Sequence, residues 1–149
     1  MSKYHLAQIN VAKAQAEMDT ELMSGFVSRL EEINALADQS PGFIWRLQSD
    51  DGDATAIRVF DDPLLLVNMS VWEDIDVLKQ YVYRSAHVEL IQDRDAWFHK
   101  IQSAHQALWW IPCGHQPTPE EGKEKLQYLN SHGPTHAAFT FAKPFLPGA

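Results

Sequence analysis

The 149-residue chain is 45% hydrophobic and 21% charged, and its 20 acidic residues against 12 Lys plus Arg give a formal charge of −8 at pH 7. That composition supports a buried core and excludes a disordered chain. The acidic balance argues against binding to nucleic-acid phosphates or an anionic membrane surface, and a lone Cys113 excludes an intrachain disulfide or a multi-cysteine zinc site.

The longest apolar stretches, such as Leu64-Leu65-Leu66-Val67, are too short to cross a bilayer. Met1 to His5 carry no apolar run of the signal-peptide kind. The expectation is a soluble cytoplasmic protein. No repeat, low-complexity stretch or linker divides the sequence, so one domain over residues 1–149 is expected.

Tyr4 to Val11 has a period near two. This predicts a strand with Tyr4, Leu6, Gln8 and Asn10 on one face and His5, Ala7, Ile9 and Val11 on the other. Asp19 or Thr20 can cap a helix in which Leu22, Phe26, Leu30, Ile33 and Ala37 recur at helical spacing. Ser40-Pro41-Gly42 ends it. Phe43 to Leu47 predicts a second strand, Asp50-Asp51-Gly52-Asp53 a turn, and Ala54 to Phe60 an extension of the hairpin. Asp61-Asp62-Pro63 is another turn, and Leu64 to Trp72 the third strand.

Glu73-Asp74 opens a helix whose inner line is Val77, Leu78, Tyr81, Val82 and Ser85. Further helix is expected to carry Val88, Ile91, Trp97, Phe98 and Ile101. Leu108 to Ile111 predicts a strand, closed by Pro112 and Gly114. Thr118, Pro119 and Glu121 stand at N-cap, N1 and N3 of a last helix, the pattern of a capping box. Leu126 and Leu129 mark its buried side, and Gly133-Pro134 its stop. Ala138 to Phe141 reads as a final strand.

This order suits an α+β, ferredoxin-like antiparallel sheet with helices on one face and an extra C-terminal helix and strand. A single such sheet leaves one face uncovered. The strand aromatics make that face apolar, which predicts a homodimer with two sheets facing each other as a dimeric α/β barrel.

The run from Leu64 to His87 resembles the strand–helix signature of the dimeric α/β-barrel superfamily, which includes antibiotic-biosynthesis and heme-degrading monooxygenases. Trp72 ends the apolar strand, Asp74 starts the helix, Tyr81 is the aromatic, and His87 is the terminal histidine. Tyr83-Arg84, Trp97-Phe98, Leu108-Trp109-Trp110, Gly114-His115, Pro117-Thr118 and Gly133-Pro134 make the chain similar to an uncharacterised bacterial branch, a domain of unknown function.

Asn68 and Trp72, four apart on one strand, share a face. In cofactor-free monooxygenases that oxidise aromatic polyketides, an Asn and a Trp at this spacing line the cavity. The resemblance therefore implies Asn68 as donor to a developing oxyanion and Trp72 as an aromatic wall. Tyr81 can offer its hydroxyl to a ligand oxygen. His87 can act as a general base. In heme-degrading relatives the comparable histidine ligates iron, but here the helix is about one turn shorter and Tyr81 replaces the usual Trp.

Asn10 joins the candidates because those relatives use an Asn on their first strand. Trp45 and Trp110 are further candidates for the ligand wall, and Arg46 can meet an anionic ligand or a surface carboxylate. The seven histidines form no metal signature such as His-Glu-x-x-His, and no phosphate loop or nucleophile elbow occurs.

The leading expectation is a small oxygenase-like enzyme without an organic cofactor. It would hold an aromatic or apolar small molecule between sheet and helices. One alternative is a heme-binding or heme-degrading protein with His87 as ligand. The other is a non-catalytic small-ligand or stress-response module.

Overall fold

The computed structural model of the chain describes residues 3–14, 16, 20–24, 34–47, 65–84, 98–99 and 106–146. Its strands are β1 (Tyr4–Ala14), β2 (Phe43–Arg46), β3 (Leu65–Trp72), β4 (Phe98–His99) and β5 (Gln106–Pro112). Its helices are α1 (Ile75–Arg84) and α2 (Pro119–His132), and residues 34–39 are also helical.

All strand pairs are antiparallel. β1 is central, with β3 and then β2 along one edge. β5 pairs its other edge from Tyr4 to Asn10, and β4 pairs Lys13 and Ala14 beyond it. With β5 read as the fourth strand, this is the ferredoxin-like order.

The register sorts side chains as the period of two requires. Leu6, Gln8 and Asn10 lie beside Trp72, Ser70 and Asn68 on one face. There Leu6, Trp72 and Leu108 pack with Ala37, with Leu78 of α1 and with Phe139. On the other face Ala7, Ile9, Val67, Met69, Val71 and Trp109 pack under Leu126 and Leu129 of α2. Each fully buried Leu, Ile, Val or Met side chain among these contributes about 1.5–3 kcal/mol.

The extra C-terminal helix thus covers the face that the sequence analysis expects to be bare. Gly122 lets α2 approach closely, since a Cβ there would lie 2.8 Å from Ile9 Cδ1 and 3.0 Å from Met69 Sδ.

Both helix starts follow their sequences. Asp74 Oδ1 accepts from Val77 N at 3.0 Å. Thr118 Oγ1 accepts from Glu121 N at 3.1 Å, Pro119 begins the helix, and Gly133 ends it at φ 76°.

Four expectations change. Phe98 sits in a short strand rather than a helix, because the edge of β1 past Asn10 needs a partner once β5 has ended. The final strand contracts to one bridge between Leu108 and Phe139. The capping box is half made: the Glu121 carboxylate turns instead to Trp109 Nε1 (3.0 Å) and His115 Nε2 (2.8 Å). Leu22, placed on the apolar line of the first helix, is 50% exposed. Phe26, Leu30 and Ile33 of that line, the hairpin extension at 54–60, Val82, Ser85 and the residues from Val88 to Trp97 lie outside the described residues or side chains.

Candidate functional site

The Leu6–Trp72 face grades from apolar to polar along the strands. At one end Trp110, Leu6, Trp72 and Phe43 form a row across four strands. The next row carries Leu108, Gln8, Ser70 and Arg46, and the one after it Gln106, Asn10 and Asn68. The sheet register alone assembles this polar corner, from segments some 60 residues apart.

The corner is bonded internally. Gln8 Nε2 donates to Asn68 Oδ1 and to Ser70 Oγ, each at 2.8 Å. Trp72 Nε1 donates to the same Ser70 Oγ at 2.8 Å. Gln8 and Ser70 are buried, with 5% and 6% exposure, whereas Asn68 is exposed. A buried amide and hydroxyl are tolerable because they bond one another. Together they link a buried indole to an exposed amide.

Trp72 is 1% exposed. Tyr81 stacks on it at 5.0 Å and 29°, and Phe43 meets it edge-on at 5.4 Å and 79°. The ring is therefore the floor beneath Tyr81, and a ligand above would meet Tyr81 first. Burial pushes the Tyr81 phenol well above the usual range; the positive Arg46 partly offsets this, and Asp38 adds to it. Tyr81 stays protonated at neutral pH. It can exchange a hydrogen bond but cannot serve as a base. Arg46 is held by Asp38 through Nε–Oδ1 at 2.8 Å and Nη2–Oδ2 at 3.3 Å, with only 12% of its side chain exposed.

The raised phenol carries a stability prediction. Native Tyr81 holds its proton above the pH at which the unfolded phenol ionises, near 10. The resulting stability is complete below about pH 10 and is lost as pH rises beyond it. Relative to Tyr81→Phe, the wild type should lose up to ~1.4 kcal/mol per pH unit above pH 10. Urea titrations of both proteins at pH 8, 10 and 11 measure this. Parallel stability curves would contradict it.

The remaining predicted residues divide. Asn10 lies on the same face, opposite Asn68 and half-buried. Trp110 also lies there, at the far end, with Nε1 donating to the Phe145 carbonyl at 2.8 Å. Trp45 pairs with Val71 and packs on the opposite face, so the sheet separates it from Asn68. A bulge between Phe43 and Trp45 sets that orientation. His87, on which the general-base and heme readings depend, lies outside the described residues.

Trp45 lines a different cleft of about 210 Å³, with His5, Ile44, Val71, Gly114, His115 and Gln116. Sequence reasoning missed both Gln8 and Ser70. Their only signal was a polar residue at an inward position of each strand.

Among the described residues no group of three or more His, Cys, Asp or Glu is arranged to hold a metal ion. None of their helices is long and apolar enough to cross a membrane.

Residues 5–149 match the family described as Domain of unknown function (DUF3291), and the chain belongs to that family. No curated protein matches the sequence. Among solved structures, SnoaB, a cofactor-independent oxygenase from Streptomyces nogalater, aligns with a TM-score of 0.51 at 16% identity. The alignment covers 77% of this chain and 97% of SnoaB. A point mutant of SnoaB gives 0.50 at 15% identity over the same shares. A provisionally assigned antibiotic biosynthesis monooxygenase from Nitrosomonas europaea gives 0.49 at 11% identity, covering 79% and 97%. The chain thus belongs to a family of unknown function and shares the ferredoxin-like fold of SnoaB.

Proposed function

We propose that the chain is a small oxygenase that binds an electron-rich aromatic phenol against the Asn10–Asn68 corner and stabilises its anion. The carrying observation is the relay from Trp72 through Ser70 and Gln8 to an exposed Asn68, on the sheet face that also carries the Tyr81–Trp72 stack. An amide donor aimed at a developing phenolate oxygen is what anion stabilisation requires. Aromatic side chains further along that face suit a flat, apolar ring. The shared fold with a cofactor-independent oxygenase supports the same reading.

In that chemistry the phenolate delivers electrons to dioxygen. One oxygen atom enters the ring system as a carbonyl, and the other leaves as water with the two displaced hydrogens. The protein supplies binding, the amide donor and the Tyr81 hydroxyl, and no organic cofactor is required. A single-domain cytoplasmic homodimer belongs to this proposal.

Oxygen uptake with 1,8-dihydroxyanthrone, an oxidisable polycyclic phenol, tests the reading. The wild type should consume oxygen above the buffer rate. Asn68→Ala should lower kcat/KM by about 10²–10³, as loss of an oxyanion donor does. No uptake by the wild type, or an unchanged rate in the variant, would count against the assignment.

A further inference from the structure

Asn68 offers two opposite chemistries. Its amide nitrogen donates, and its carbonyl accepts. Which one faces a ligand depends on what holds the other. The held end is the carbonyl: Gln8 Nε2 donates to Asn68 Oδ1 at 2.8 Å. The second hydrogen of Nε2 goes to Ser70 Oγ at 2.8 Å, so both Gln8 donors are committed. Ser70 Oγ also receives Trp72 Nε1–H at 2.8 Å, and an indole nitrogen can only donate. Every group in the relay apart from Asn68 lies at 6% exposure or less. Water therefore competes poorly for these bonds, and the buried packing limits rearrangement.

We propose that Gln8 is a positioning residue that fixes the polarity of the Asn68 amide, turning its N–H donors outward toward an anionic ligand oxygen. This rests on the phenolate reading above and names the group that makes Asn68 a donor there. Without Gln8 the Asn68 amide turns freely, and its carbonyl faces the ligand part of the time. A carbonyl dipole presented to a phenolate repels it. Gln8 touches no ligand and acts only through Asn68.

The test uses 4-nitrophenol, whose absorption reports its ionisation. At a pH near the free probe's midpoint, wild-type protein should raise the phenolate-to-phenol ratio of bound probe about tenfold, as one charge-assisted hydrogen bond allows. Asn68→Ala should cancel most of that rise, and Gln8→Met should cancel part of it, because the freed amide still donates for part of the time. The double variant should be no worse than Asn68→Ala alone, because Gln8 acts only through that amide. A role for Gln8 in stability alone would leave the bound ratio unchanged.

A preserved tenfold rise in Gln8→Met, with loss in Asn68→Ala, would overturn the positioning role and leave the phenolate reading standing. No rise in the wild type would overturn the phenolate reading itself. Side-chain amide exchange measured by NMR on unmodified protein then decides the relay separately, and it also covers a variant that does not fold. Both Gln8 Nε2 protons should exchange at least tenfold more slowly than the Asn68 amide protons. Equal rates would overturn the relay.

Discussion

Trp72→Ala should cost about 3–5 kcal/mol, the range for truncating a large buried aromatic. The ring is 1% exposed, stacks on Tyr81, meets Phe43 edge-on and packs among Leu6, Leu78 and Phe139. Removing it opens a cavity where the helical residues 34–39, α1 and the sheet converge, and also deprives Ser70 Oγ of a donor. Trp72→Phe should cost less, keeping the stack but losing the N–H bond. Guanidinium titrations of the three proteins measure this. A loss below about 1 kcal/mol for Trp72→Ala would mean that the site collapses around the missing ring. The size of the expected loss also makes Trp72→Ala a poor probe of ligand binding, so the functional tests rest on Asn68 and Gln8.

Gly42→Ala should destabilise by about 2–4 kcal/mol, from left-handed backbone strain and overpacking together. Gly42 has φ 82° in the turn between residues 34–39 and β2, after Pro41, with Phe43 N donating to Ser40 O at 3.2 Å. This is the position where a type II turn selects glycine. A Cβ there would lie 2.6–2.8 Å from Val77 Cβ and both its methyls. Val77 is anchored in the first turn of α1, where its N–H bonds Asp74. The Gly42 carbonyl also accepts from Glu73 N at 2.8 Å, tying the turn to the start of α1. Relief would require α1 to move off the sheet, carrying Tyr81 with it. In a chain of this length the expected loss lowers the thermal midpoint by roughly 5–15 °C. Calorimetry measures it, and an unchanged midpoint would show that turn and helix shift freely.

Local chemistry was legible in the sequence. The alternation of β1 assigned Leu6, Gln8 and Asn10 to one face and Ala7 and Ile9 to the other, as observed. Thr118 and Pro119 placed the start of α2, and Gly133 its end. The four-residue spacing put Asn68 and Trp72 on one face. The signature at Leu64–His87 led to the fold now seen.

What stayed hidden depends on register between distant segments. The Gln8–Ser70 bond spans 62 positions, and nothing near Gln8 announces it. Trp45 could be placed on a strand, but a bulge before it decided its face. Glu121 could be placed at N3, but its carboxylate follows Trp109 and His115, which the sheet brings within reach. The expectation of a bare apolar face failed to anticipate that α2 folds back over β1 and β5, where Gly122 permits close contact with Ile9.

In the proposed function the Asn10–Asn68 corner, rather than the cleft beside Trp45, binds the aromatic ligand. A ¹H–¹⁵N NMR titration with 4-nitrophenol tests it most directly, because the two sites carry separate reporters. Binding at the corner should shift the Asn68 and Asn10 side-chain amides progressively and leave the Trp45 indole and the His5 and His115 signals unmoved. Shifts at Trp45, His5 and His115 with a silent Asn68 would contradict it and move the binding site to the opposite face of the sheet.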